Sequence, residues 1–364
     1  MTPIRTLLRR GPAALAAVAA AAVLTAGPAL AVPGHGNGHG NGNGNGNWQL
    51  ATGNWHGISN GQGHHQHGQG HGWGHGRDAD DPKVIAFYQT IYETDAAGVR
   101  QYVDPTPLTG SATDVNMGAI HLNDDGSLHV NDIPADHPEL VRMWDDLHTM
   151  QDDGVRVSAF VGGAAAGTYR NLATDFDRFY PILRDFLSTY ELDGVDLDIE
   201  EPFSLGDTVH LVRTLRADFG EDFVITLTPV ATDLAGQTDF SGGFDYAELE
   251  AVAGDDIDWY NGQFYCGWGD LRSTATFDAV VANGFTPDRV VAGTVTNPGN
   301  CGGYVEPAVL DATLGDLLEA YPTFGGVFGW EYFNSLGHDG GGRETWFSHV
   351  RDVLDRGCAH RAAA

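Results

Sequence analysis

The sequence predicts an α/β protein folded as a single (β/α)₈, or TIM, barrel, on three observations. Eight short runs of β-branched and aromatic residues recur from residue 83 onward, separated by amphipathic segments. No glycine-rich phosphate-binding turn follows the first run, which argues against a doubly wound sheet; Val161-Gly162-Gly163 lacks the spacing of a phosphate loop. The fourth run, DGVDLDIEE at residues 193–201, ends in carboxylates, and barrel enzymes place their chemistry at the C-terminal ends of strands.

Before the barrel come two segments that cannot belong to it. Arg5, Arg9 and Arg10 precede an alanine-rich apolar run at 13–24, and Ala29-Leu30-Ala31 offers a small-x-small cleavage site. Residues 1–31 therefore read as a secretory signal peptide, the run being short for a membrane span. Residues 32–82 are Gly, His, Asn and Gln with almost nothing to bury, so they are expected to form a flexible linker. Its histidines (His64, His65, His67, His71 and His75) could chelate a transition metal, but a solvated tail is the simpler reading.

Residues 83–360 suit one large domain. The strands are expected at 84–88, 114–122, 155–163, 194–200, 223–230, 257–265, 290–297 and 324–332. Between them, Leu140, Met143, Trp144 and Leu147 share a helical face, as do Phe176, Phe179, Leu183, Phe186 and Leu187, where Pro181 argues for a kink or a late start. Gly220 reads as a helix C-cap. The connection between the first two strands looks irregular.

Composition narrows the partners. Nineteen basic against 49 acidic residues give a net charge of −30, a field that repels nucleic acid and anionic membranes and suits neutral extracellular ligands. Three cysteines in an exported chain suggest one disulfide and one remaining thiol.

Strand residues two apart share a side. Asp196, Asp198 and Glu200 are thus expected to project together into the barrel, with Val195, Leu197 and Ile199 facing the helices. Stacked, desolvated carboxylates cannot all ionise cheaply, so one of them should hold a proton near neutral pH. A protonated Glu at the strand's mouth is what a general acid requires. The competing readings are a Ca²⁺ site, whose ligands normally come from Gly- and Asn-rich loops, and a structural hydrogen-bond network; no metal or cofactor is assigned.

Asp193-Gly-Val-Asp196-Leu-Asp198-Ile-Glu200 resembles the D-x-x-D-x-D-x-E signature of family 18 glycoside hydrolases, at the fourth strand of such a barrel. Gln263-Phe264-Tyr265 at the sixth strand and Gly329-Trp330-Glu331 at the eighth are similar to motifs of the same family, and Tyr88 matches a family aromatic. The resemblance implies a retaining mechanism in which the substrate's own acetamido carbonyl attacks the anomeric carbon. By that analogy Glu200 is acid and base, Asp198 holds the acetamido N–H, and Asp196 shares a proton with Asp198. Tyr265 donates to the acetamido oxygen, and Gln263, Trp330 and Tyr88 bind substrate. Asp193, of opposite parity, is expected to be structural; Glu201 and Glu331 receive no role.

Two departures stand out. Phe160 occupies a position that is often Ser in the family's third-strand S-x-G-G, and Tyr265 is followed by Cys266 where many chitinases have Asp. The 297–324 interval is too short for the extra α+β domain of processive chitinases, which implies an open site. Tyr260–Tyr265 and Trp330–Asn334 resemble the corresponding stretches of secreted bacterial and fungal endo-β-N-acetylglucosaminidases. The expected activity is therefore cleavage of the N,N′-diacetylchitobiose core of N-glycans, by a secreted, extracellular monomer preferring neutral oligomannose. A short endo-chitinase acting on chitin oligosaccharides and a non-catalytic glycan-binding barrel are the alternatives, and retention of Glu200 speaks against the last. Cys266 and Cys301 follow neighbouring strands and are expected to pair, leaving Cys358 outside the disulfide.

Overall fold

A computed structural model describes residues 81–95 and 97–362. The signal-peptide expectation and all but the last two residues of the linker lie outside the described residues. Eight parallel strands close into a barrel: β1 Lys83–Tyr88, β2 Asp114–Leu122, β3 Arg156–Gly162, β4 Gly194–Asp198, β5 Val224–Leu227, β6 Trp259–Gln263, β7 Val290–Val295 and β8 Gly326–Trp330. Each pairs with its sequence neighbour, and β1 pairs with both β8 and β2, which completes the circle. Strands fall where the apolar runs predict them, but β3 to β8 each stop short of the expected end. Glu200 lies beyond the end of β4, and Tyr265 beyond that of β6.

Helices α1 (Val141–Asp152), α2 (Thr168–Thr174), α3 (Phe176–Thr189), α4 (Leu205–Phe219), α5 (Ala231–Leu234), α6 (Tyr246–Ala253), α7 (Ala275–Ala282), α8 (Pro307–Ala320) and α9 (Glu344–Ala362) occupy the connections. Pro181 sits inside α3 without delaying its start. Ser204 caps the first turn of α4 through the Asp207 N–H, and Gly220, at φ 83°, ends it as expected. The irregular β1–β2 connection carries a small hairpin, Tyr92–Thr94 with Arg100–Tyr102, and a 3₁₀ turn at Thr106–Leu108. At its outer end β2 pairs antiparallel with Leu128–Val130, which pairs in turn with Ile133–Pro134.

Two cores follow from strand alternation. Val195, Leu197 and Ile199 join the layer between barrel and helices, as their parity predicts. The barrel interior holds Ile85, Phe87, Phe160, Val224, Trp259, Val291 and Phe328. Two glycines make room for its rings. A Cβ on Gly293 would stand 2.0 Å from the Phe328 ring, and one on Gly118 2.8 Å from Phe160. Polar side chains share that interior: Asp114, Asn116 and Ser158 are buried at positions of β2 and β3 in register with the inward residues of β1.

Candidate active site

Above that aromatic layer, β4, β5 and β6 aim alternate residues at one volume. Asp196, fully buried, accepts hydrogen bonds from Thr226 Oγ1 (2.5 Å), Thr228 Oγ1 (2.6 Å) and Asn261 Nδ2 (2.8 Å). Trp259 Nε1 holds the Asn261 carbonyl at 2.9 Å and so fixes which way the amide points. One layer higher, Gln263 Nε2 lies 3.3 Å from Asp198 Oδ1, 3.2 Å from Glu200 Oε1 and 3.0 Å from the Thr228 carbonyl. Two amide hydrogens are therefore shared among three oxygens.

The carboxyls differ in how burial and neighbours act on them. Desolvation holds Asp196 above the usual carboxylate range even though three neutral donors oppose it. Asp198 is pushed well up by burial, then by the charges of Glu200 and Asp196. Glu200 is raised by burial, with the Gln263 hydrogen bond opposing. Only Glu200 of the three is partly exposed at the mouth. Tyr265 is buried, and desolvation, then the charges of Asp198, Glu200 and Asp196, keep its phenol protonated. Cys266 and Cys301 form a disulfide beside it, and the Cys266 N–H donates to the Gly302 carbonyl at 2.7 Å. Cys358 is not part of a disulfide.

Trp330 closes the other side, half-buried, its ring 5.6 Å from Phe87 and 6.1 Å from Phe160. Phe160, at the position often occupied by Ser, thus contributes packing, and the hydrogen-bond support of the acids comes from β5 and β6 instead. Glu331, next to Trp330, accepts from the Thr90 N–H (2.9 Å), Thr90 Oγ1 (3.1 Å) and Gln89 N–H (3.3 Å); burial nevertheless raises its carboxyl to about 7. Glu201 is equally committed, accepting from the backbone N–H groups of Gly167 (2.8 Å) and Tyr169 (2.8 Å). Asp193 faces away, accepting from the Val157 N–H and Gln151, a structural role as expected.

One expectation needs correction. Tyr88 does not reach the mouth: it has the outward parity of β1, is fully buried under the helices, and donates to the Val103 carbonyl at 2.6 Å. Its neighbour Phe87 is the β1 aromatic that faces inward and contacts Trp330. Asp196 and Asp198 are both raised by burial, and the charge of Asp196 raises Asp198 further. Thr226, Thr228 and Asn261 escaped the sequence reading, although each sits at two-residue spacing in an otherwise apolar strand, the same signal that picked out the acids. At the rim, exposed Phe240 packs its ring 4.8 Å from Trp268, a pair from separate loops that no local pattern announces. Among the described residues no group of three or more His, Cys, Asp or Glu is placed to hold a metal.

Residues 84–293 match the family described as glycosyl hydrolases family 18. Among solved structures, a fungal endo-β-N-acetylglucosaminidase of that family is 39% identical with a TM-score of 0.70, covering 76% of this chain and 99% of its own. A chitinase from Aspergillus fumigatus is 40% identical with a TM-score of 0.67, at 75% and 99% coverage. Chitinase 2 of Rhizopus oligosporus is 30% identical over 208 residues, 51% of this chain and 35% of that protein. The chain spans between about a third and two thirds of the length of the chitinases it matches in this way.

Proposed function

The chain belongs to glycosyl hydrolase family 18, and from that membership we propose that it is a secreted, retaining endo-β-N-acetylglucosaminidase. Its substrate is the β-1,4 bond of the chitobiose core of N-glycans. The observation that carries the reading is the Asp198–Gln263–Glu200 bridge, one carboxyl buried and the other at the mouth. The other acids flanking the mouth, Glu201 and Glu331, are each held by two backbone N–H groups, which ties them to the protein rather than to a sugar. A substrate that brings its own nucleophile fits that economy.

In this mechanism Glu200, protonated through burial, donates its proton to the glycosidic oxygen as the C1–O bond breaks. The acetamido carbonyl oxygen of the −1 sugar closes onto C1 and forms an oxazolinium ion. Asp198 accepts the acetamido N–H and stabilises the positive ring, while Tyr265 donates to the carbonyl oxygen and Trp330 stacks beneath the sugar. Asp196, hydrogen-bonded from three sides, lies beside Asp198, and its charge adds to the burial that raises the Asp198 carboxyl, so a proton shared between the two would tune Asp198. Glu200, now ionised, takes a proton from water as that water opens the oxazolinium at C1. Two inversions give net retention.

Likeness to the fungal endo-β-N-acetylglucosaminidase over 99% of that chain supports the N-glycan substrate. So does the β7–β8 connection, in which α8 is the only helix. The chitinase from Aspergillus fumigatus, 40% identical, favours a second reading, endo-cleavage of chitin oligosaccharides. Mass spectrometry decides between them. A denatured high-mannose glycoprotein should lose its glycans with one GlcNAc left on each asparagine, the freed reducing end initially β. Rapid cleavage of chitotetraose with an untouched glycoprotein would transfer the assignment to chitinase.

A further inference from the structure

Beside the catalytic mouth, between the β2 hairpin and the β3–α2 loop, lies a cavity of about 600 Å³, within the ~300–1,000 Å³ span of small-molecule sites. Its lining has a chemistry of its own. His121 and His129 stand directly opposite across the antiparallel pair, both half-buried, and neither ring makes a hydrogen bond among the described residues. Asp132 projects beside them, exposed. The cavity's one cation, Arg170, is paired with Asp124 at 2.6 Å. Ala165 and Ala166 supply the opposite wall with little bulk.

These groups select against most ligands. An unpaired excess of carboxylate repels anions, including sialylated or phosphorylated sugars. The lining includes no aromatic ring other than the two imidazoles, so a flat apolar molecule has little to stack on. The His and Asp set is not arranged as a metal site. Burial lowers the His121 pKa, so its ring is neutral at neutral pH and offers one donor and one acceptor. What remains is a neutral polyhydroxyl ligand.

The cavity is also tied to the catalytic mouth on two sides. Gly167, in its wall, donates to Glu201, the residue after Glu200. Asn131, in its opposite wall, donates to the Gln89 carbonyl at 2.9 Å, and the Gln89 N–H reaches Glu331, the residue after Trp330. These links tie two walls of the cavity to the residues that follow Glu200 and Trp330. We propose that the cavity is a second carbohydrate subsite that takes outer mannose residues of the glycan, with His121, His129 and Asp132 as its hydrogen-bonding groups. The assignment rests on the N-glycan reading above.

Two measurements on the full chain test it. Titration with α-mannotriose should shift the imidazole nitrogen resonances of His121 and His129, whereas N-acetylated chitotriose should leave them in place. This readout does not depend on turnover, so it stands even if the cleavage assay favours chitin. In kinetics, His121→Ala and Asp132→Ala should each lower kcat/KM on a high-mannose glycopeptide about tenfold, through KM. Neither should alter cleavage of the same glycopeptide trimmed to its trimannosyl core. Imidazoles that ignore mannotriose, or that respond only to chitotriose, overturn the proposal. Equal losses on the long and trimmed glycans would also overturn it, since they mark a structural effect on the mouth. Failure of the N-glycan reading looks different: neither glycopeptide is cut while chitin oligomers are.

Discussion

Replacing Gln263 with Met should move the pH dependence of catalysis upward. Gln263 supplies the one neighbouring interaction that favours ionised Glu200 against burial. Hydrogen bonds to charged groups contribute about 1.5–3 kcal/mol, but here two hydrogens serve three oxygens at 3.0–3.3 Å. The lower end, about 1.5 kcal/mol, is the appropriate choice, and it corresponds to about one pKa unit. Loss of the donor leaves the carboxylate form less favoured, so Glu200 keeps its proton to higher pH. Asp198 loses a donor too, so the displaced value belongs to the pair. The alkaline limb of kcat/KM, measured on a fluorescently tagged GlcNAc oligosaccharide, should shift up by about one unit while the maximum rate falls. Stability gives an independent sign check. Glu200 is raised in the fold, so stability is lost as pH climbs from its unfolded to its folded pKa and is fully regained only below the unfolded value. The variant's deficit in urea denaturation should therefore be present at neutral pH and shrink in acid. An alkaline limb that stays put or moves down would show that Gln263 does not tune the acid.

Glu200→Gln should cut turnover by ~10²–10⁴-fold without lowering the melting temperature, because it also removes a charge that raises Asp198; more than a tenth of wild-type turnover would refute the acid assignment. Cys301→Ala should cost about 4 kcal/mol in denaturant unfolding, from opening a link across a sequence separation of 35, and reduced wild type should match it. Glu331, raised to about 7 by burial, withdraws roughly 3 kcal/mol of stability as pH climbs from its unfolded pKa to that value. Glu331→Gln should lack this slope, so the gap between wild type and variant in denaturation midpoints should narrow from pH 5 to pH 8; a constant gap refutes the burial argument.

The barrel was legible because its signal is local: eight apolar runs, each closed by a helix, needed no long-range information. The orientation of Asp196, Asp198 and Glu200 was legible for the same reason, since strand alternation sets which side each residue takes. Tyr88 shows the limit of motif reasoning unaccompanied by parity. Counting by twos from Ile85 selects Phe87, and Tyr88 falls among the outward residues. The supporting donors were missed because Thr226, Thr228 and Asn261 are unremarkable in their own strands; they acquire meaning only when β4, β5 and β6 are set in register. Phe240 and Trp268 lie in loops whose approach depends on the whole barrel, and the facing of His121 and His129 depends on an outer pairing that the apolar pattern does not specify.

The depth of the acid pair bears on how the protein meets its ionic surroundings. A chain with a net charge of −30 should respond strongly to salt wherever its charges face water. Asp196 and Asp198 do not face water: both are buried beneath Glu200, and their neighbours are hydroxyls and amides that carry no mobile counterions. Mobile ions can thin the repulsion among surface carboxylates and change how a charged glycoprotein approaches, which enters kcat/KM. They cannot enter the volume where Asp196 and Glu200 act on Asp198. Ionic strength should therefore alter the encounter with substrate and leave the turnover of bound substrate nearly constant.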